Sequence, residues 1–370
     1  MKKKIKPIAI YLPQFHPIPE NDSWWGKGFT EWFNVSRAMP RFKGHYQPQL
    51  PTELGFYDLR CNSIFHEQIA LAKEAGIEAF MFYEYWFQGK QILEKPIDHY
   101  LQDISIEFPY FLCWANENWS RKWDGSDQEI LLKQDYSTDD FKDHFNKVYK
   151  RHFTSSKYLS IQGKPILAVY KPELIPNLKE MITIWRSMTK EMGFEDLYII
   201  FCSNKFTINS DFSKLFNASY YFQPDWQLVN SIKLKTSLFA RLVVRCLPKF
   251  VNSIFFSREM ASLNNTLVDY SEYVDNVIAE NQVINAFQCV MPGWDNTSRR
   301  KNGNACIFIN SNPNDYKRWL KHAVEQSRHE NDGEKLLFIN AWNEWAEGAH
   351  LEPCDRWGRS FIEATKNVLK

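Results

Sequence analysis

The chain has 370 residues, 44% of them hydrophobic, and a formal net charge of +1. That length carries a large core and fits one barrel-sized domain as well as two ordinary ones, while the near-neutral charge leaves no global basic field to hold nucleic acid. The seven cysteines form no C-x-x-C pair, and Cys113, Cys202 and Cys289 sit inside apolar runs, which argues against a disulfide scaffold and for a reducing compartment.

The first element is predicted at once. MKKKIKPIAIYLPQF starts basic, but its apolar stretch is short and broken by Pro7 and Pro13, so it reads as a strand rather than a signal peptide. No run approaches the roughly 18 apolar residues of a spanning helix, and a cytoplasmic location is expected. Short continuous apolar runs mark strands buried on both faces. Eight occur, at Ile5–Tyr11, Glu78–Tyr85, Pro109–Ala115, Pro165–Tyr170, Leu197–Cys202, Ala218–Phe222, Ala286–Met291 and Lys335–Ala341. Stretches with helical period separate them: Ile64–Ala75, Asp139–Tyr149, Leu174–Met192, Tyr270–Ala279, Pro313–Gln326 and Arg359–Leu369. Thr138-Asp139 and Asn312-Pro313 suit helix starts. Alternating strands and helices imply a parallel sheet. Eight such units predict an α/β chain folded as a single (β/α)8 barrel over residues 1–370. A doubly wound sheet is the alternative, but no Gly-rich first turn is present.

The predicted strands end in polar and aromatic residues: YLPQFH, FYEYWF, WANENW, MPGWDN and NAWNEWAE. In a barrel these ends meet on one face, where chemistry is placed. Polar groups there cost desolvation unless paired or wet. Aromatic residues are 16% of the chain, with 14 Trp. Indoles stack on sugar rings, and amides and carboxylates hold hydroxyls, so the pattern points to a glycan site; the other reading of any single Trp is core. Only residues 223–267, after the sixth strand, break the alternation. Lys233, Lys235, Arg241, Arg245, Lys249 and Arg258 there interleave with apolar residues. This basic amphipathic insertion suits peripheral contact with the inner face of an anionic membrane or a lipid-linked glycan; an ordinary helix pair with a solvated basic face is the alternative.

The eighth strand runs into Trp342-Asn343-Glu344-Trp345-Ala346-Glu347-Gly348. On an extended strand the two glutamates would lie roughly 10 Å apart on opposite faces. A turn, which Gly348 permits, would bring both to one pocket. Glycosidic chemistry uses two carboxylates, about 5 Å apart in retaining enzymes and about 6.5–9.5 Å in inverting ones. Flanking indoles can raise one carboxyl pKa, as a general acid requires. Glu344 and Glu347 are therefore the catalytic candidates; the alternative is that they cap the turn or pair with arginines. Candidate sugar contacts come from the other strand ends: Glu31 and Trp32, Tyr83 and Trp86, Trp114, Asn116, Glu117, Trp119 and Trp123, and Trp294 and Asp295, with Asn343, Trp345 and His350 beside the glutamates. Arg299 and Arg300 suit a phosphate or uronic acid, or anchor their loop to Asp295. No zinc spacing, phosphate loop, G-x-S-x-G elbow or D-x-D motif is present, and neither metal nor cofactor is expected.

The segments YLPQFHPIPEND, WWGKGFTEW, EYWFQGKQILEKP, LCWANENWSRKWDG, VMPGWDNTSRR and FINAWNEWAEGAHLEP together resemble the WbsX-type family of glycosyltransferases of bacterial surface polysaccharide loci, and through it glycoside hydrolase family 99, the endo-α-mannosidases. The resemblance runs from Ile8 to about Ala364. It implies a (β/α)8 barrel and a retaining mechanism at α-linked sugars. In that mechanism Glu344 acts as base on the sugar 2-hydroxyl, giving an epoxide-like intermediate, and Glu347 is general acid and base on the bridging oxygen. The chain departs from the hydrolase motif at Ala346, where His is usual, and at Glu84. Three functions are carried forward: a glycosyltransferase of O-antigen or capsule assembly, an endo-acting hydrolase or transglycosidase, and a non-catalytic glycan-binding barrel. The expected partner is a glycan, lipid-linked if the insertion meets a membrane.

Overall fold

The computed structural model describes residues 4–121, 126–234, 258–280, 286–300, 303–329 and 335–370. Each of the eight apolar runs is a strand: β1 Ile5–Tyr11, β2 Ala79–Phe87, β3 Tyr110–Trp114, β4 Lys164–Val169, β5 Tyr198–Ser203, β6 Ala218–Tyr221, β7 Gln288–Val290 and β8 Lys335–Ile339. All pair in parallel, in the spatial order β6-β5-β4-β3-β2-β1-β8-β7. A parallel bridge between Tyr220 and Phe287 joins the two ends of that order. The result is a (β/α)8 barrel.

Rings crossing the lumen show the closure directly. Phe338 of β8 stacks on Tyr220 of β6 with centroids 4.4 Å apart, and meets Phe111 of β3 at 6.4 Å, although these strands are not neighbours. Helices cover the outside. Ser63–Ala75 and Ser360–Leu369 lie against each other, as do Pro313–His329 and Ser360–Leu369. Asn312 caps the helix that starts at Pro313 through its side-chain oxygen, which accepts from the amides of Asn314 and Asp315. The helix predicted at Asp139–Tyr149 begins one residue earlier, capped by Ser137, and passes into a π-turn at Phe145–Tyr149. That turn follows His144, which is buried against Glu84 at 3.0 Å and stacked on Trp86.

After β6, Asp225 caps a helix at Trp226–Ile232. The insertion also yields a strand, Thr266–Asp269, that pairs in parallel with Cys306–Ile309 outside the ring. Of the basic residues expected at a membrane, Lys235, Arg241, Arg245 and Lys249 lie outside the described residues. Among those described, no helix is long and apolar enough to cross a membrane.

Candidate active site

Beyond β8 the chain does not stay extended. Asn343–Glu344 pairs antiparallel with Ala349–His350, and a 3-10 turn at Trp345–Glu347 joins them. Gly348 closes the turn with φ 61, a left-handed conformation that L side chains rarely adopt. The turn brings both glutamates to one side, over the C-terminal mouth of the barrel.

A second loop holds this hairpin. Following β7, Asp295 caps a 3-10 turn at Asn296–Arg299 by accepting from the Thr297 amide. The loops are tied twice: the Asp295 amide donates to the Glu347 carbonyl at 2.6 Å, and the Ser298 hydroxyl donates to the Ala346 carbonyl at 2.5 Å. Arg299 ends the capped turn and points at the glutamates. Its Nη2 reaches Glu344 Oε1 at 2.8 Å and its Nη1 reaches Glu347 Oε1 at 2.8 Å. Glu31, at the start of the helix Glu31–Ser36, comes from the first loop to the same guanidinium at 3.2 Å.

One cation thus faces three buried or half-buried carboxylates. Burial lifts the Glu344 carboxyl to about 8, against the pull of Arg299 and with the repulsion of Glu347 and Glu31. Burial also raises Glu31, opposed by Arg299. Burial would pull Arg299 down, but the three carboxylates hold it well above the ordinary arginine value. Glu344 therefore keeps its proton near neutral pH. Among the three carboxylates Glu347 is the most solvent-accessible, its side chain 22% exposed against 8% for Glu344 and 1% for Glu31.

The glutamates and Arg299 line a cavity of about 390 Å³. Among the described residues, every strand end but that of β5 contributes to it: Gln14, Tyr83 and Tyr85, Glu117 and Trp119, Tyr170, Phe222, Trp294, and Asn340. Trp24 and Trp25 from the first loop and Trp226 after β6 complete an aromatic wall. Trp226 is 46% exposed and meets Trp294 edge-on at 5.8 Å.

The expected contacts divide. Glu31, Tyr83, Glu117, Trp119 and Trp294 gather with Glu344 and Glu347 around Arg299 and the cavity. Trp123 lies outside the described residues. The others are structural. Trp32 is buried, gives its indole N–H to the Tyr57 carbonyl and packs on Trp345. Trp86 donates to Asp140. Trp114 faces outward onto Trp185 and His144. Asn116 exchanges two hydrogen bonds with the Lys171 backbone. Asn343 does the same with Leu12. Trp345 stacks on His350 with centroids 3.7 Å apart and donates to Glu352. His350 binds Gln49 and the Glu352 carbonyl, and burial lowers its pKa to about 4, so it stays neutral. Asp295 is taken up by His45, Gln47 and its own cap. Of the two arginines, Arg299 takes the glutamates as its partners.

Sequence reasoning did not single out Glu352. It is buried and accepts from Tyr57, Gln68 and Trp345. Burial raises its pKa to about 7 despite those donors. It fixes the underside of the hairpin. Its only sequence signal is an acid two residues beyond His350, which is weak.

The Glycosyltransferase WbsX family model matches residues 7–365. An uncharacterized protein WxcX from Xanthomonas campestris pv. campestris (strain B100) is 42% identical over 366 residues, and its counterpart from strain ATCC 33913 is 41% identical; each match takes in 98% of this chain and 49% of the relative. The chain thus spans about half the length of those relatives. Among solved structures, a glycoside hydrolase-like protein aligns over 100% of this chain and 94% of its own at TM-score 0.61 and 15% identity. The family 99 endo-α-mannosidase of Bacteroides thetaiotaomicron aligns over 98% and 96% at TM-score 0.51 and 14% identity, a likeness of fold. With its glutamate hairpin, arginine turn and barrel all inside the matched span, this chain belongs to the WbsX glycosyltransferase family.

Proposed function

We propose that the chain is a glycosyltransferase acting at α-linked sugars with retention, in the assembly of bacterial surface polysaccharide such as O-antigen or capsule. The observation that carries this reading is the single guanidinium holding Glu344 and Glu347 together in a tryptophan-walled cavity. Such a unit has one acid and one base available at the same pH. Following the roles that the resemblance implies, Glu344 first passes the proton that burial keeps on it to Glu347 across their shared guanidinium, and then takes the proton of the sugar 2-hydroxyl as its oxygen attacks C1. The C1–bridge bond breaks, and the departing oxygen takes the proton of Glu347. In the second step Glu347 takes a proton from the acceptor hydroxyl, whose oxygen opens the epoxide at C1, and Glu344 returns its proton to O2. Two inversions give net retention. The greater exposure of Glu347 suits it to meet the bridge and the acceptor, and Arg299 lets the pair exchange charge without water.

A sugar hydroxyl as acceptor makes this transfer, which the family description supports. Water as acceptor makes it hydrolysis, which the carboxylate pair and the glycosidase-like fold favour as the second reading. Product size separates them: transfer lengthens an α-linked oligosaccharide, whereas hydrolysis only shortens it. Glu347→Gln keeps the shape of the side chain and should lower turnover by a factor on the order of 10²–10⁴ with the fold intact. Undiminished turnover would remove Glu347 from this role. A glycan-binding barrel without chemistry would show no turnover in the parent protein and glycan affinity unchanged by the substitution.

A further inference from the structure

Behind the catalytic hairpin lies a second cavity of about 120 Å³, walled off from the first by Trp294, Asp295 and Gly348. Trp294 lines both. We propose that this smaller cavity binds a phosphate or carboxylate group.

Two guanidiniums line it, from Arg258 and Arg356. Arg258 contacts Asn310 Oδ1 at 3.3 Å and lies 6.0 Å above the Phe42 ring. The Arg356 guanidinium lies over two aromatic rings, 5.1 Å from the Tyr46 centroid and 5.0 Å from that of Trp357. Neither arginine has a carboxylate partner among the described residues. Asp295, the acid lining the cavity among those residues, has its oxygens taken by His45, Gln47 and the Thr297 amide. Two solvent-exposed guanidiniums therefore face a small space in which the carboxylate described, Asp295, already has its hydrogen-bond partners. The two rings flank the Arg356 guanidinium without using its N–H groups as hydrogen-bond donors, and a guanidinium with N–H groups to give favours bidentate capture of a phosphate or carboxylate. At roughly 30 Å³ per water, the cavity holds about four waters, or one such group.

The location gives the group a use. The wall between the cavities includes the hydrogen bond from the Asp295 amide to the Glu347 carbonyl. An anion here sits one wall from Glu347, close enough to brace that wall, and a charged group on the glycan is one source for it if the chain reaches round Trp294. That use rests on the proposed glycan chemistry; the binding of the anion does not.

The test is thermal melting in sodium phosphate against sodium chloride of equal ionic strength. Phosphate should raise the melting temperature of the parent protein, and Arg258→Gln and Arg356→Met should each weaken its apparent affinity roughly tenfold or more. Methionine keeps an apolar stem between Tyr46 and Trp357, and if one variant does not fold the other decides. No phosphate-specific shift in the parent, or a shift that survives both substitutions, overturns the proposal. The source of the anion comes from turnover of an α-linked oligosaccharide with and without a phosphate or uronate substituent. A preference for the charged substrate that both variants lose identifies the glycan as the source. Equal turnover alongside intact phosphate binding identifies a free anion. Phosphate binding with no turnover of either substrate would count against the glycan chemistry and leave the anion site standing.

Discussion

Glu344 sits where charge does not balance. Arg299 offers one positive charge to three carboxylates, and burial makes the ionisation of Glu344 and Glu31 expensive. An ordinary glutamate titrates near 4.5, whereas this one is lifted to about 8. A raised carboxyl favours the fold while it is protonated. That contribution is complete below about pH 4.5 and is lost as pH climbs through about 8. Glu344→Gln is neutral at every pH and escapes the loss. Its melting temperature relative to the parent should therefore rise steadily from about pH 5 to about pH 9; curves that run parallel would show that Glu344 is ionised throughout. At this scale the sequence was legible in kind and ambiguous in parity. Successive strand residues face opposite ways. Tyr83 and Tyr85 look into the cavity, so Glu84 and Trp86 look out, and Glu344 looks in while Asn343 and Trp345 do not. The residue types at each strand end were right for a sugar site, but nothing in the types says which of two neighbours points inward.

The hairpin at Asn343–His350 is the element on which the chemistry depends, and Gly348 is its tightest point. A Cβ there would come within 2.7 Å of Gln49 Nε2 and 3.0 Å of the Asp295 amide nitrogen, at a φ of +61. The side chain of Gln49 can move, but the Asp295 backbone is part of the tie to Glu347. Gly348→Ala should cost about 1–3 kcal/mol of stability and lower turnover more than that loss implies, because the displaced group is the wall that sets Glu347 against Arg299. Denaturant unfolding and turnover measured on the same sample check this, and a stability loss with full activity would show the hairpin to be more compliant than its contacts require. Elements were legible where burial is two-sided. The eight barrel strands stand out because each is a short apolar run. The strand at Thr266–Asp269 does not, since it lies outside the ring with polar residues at both ends. The E-x-x-E spacing left a turn and an extended strand equally open. The turn became decidable only when Asp295 and Ser298, far away in sequence, were seen to hold it. Pairing with an arginine, the alternative to catalysis at the level of residue types, is how the two glutamates are brought together.

Across the whole molecule the two cavities differ in how their arginines are engaged, which bears on the donor. In the larger one Arg299 is committed to three carboxylates, two of which line the cavity together with Glu117 and Arg300. A nucleotide diphosphate placed there would set its phosphates against Glu344 and Glu347. A neutral oligosaccharide would instead meet indole faces and hydroxyl acceptors. α-Linked manno- or rhamno-oligosaccharides should therefore raise the melting temperature by direct occupation of that cavity, with about 2.7 kcal/mol of added stability at 100 times the dissociation constant. UDP, GDP, dTDP and CMP should not stabilise through the same site. The smaller cavity makes the distinction testable, because a nucleotide phosphate has an alternative place to bind between Arg258 and Arg356. Stabilisation by a nucleotide that disappears in Arg258→Gln belongs to that pocket and leaves the donor a glycoside. Stabilisation that persists in Arg258→Gln and disappears in Tyr85→Ala, which opens the wall of the larger cavity, would place the nucleotide over the glutamates. The donor would then be a nucleotide sugar, and the acidic floor would be relieved in part by the proton that burial keeps on Glu344.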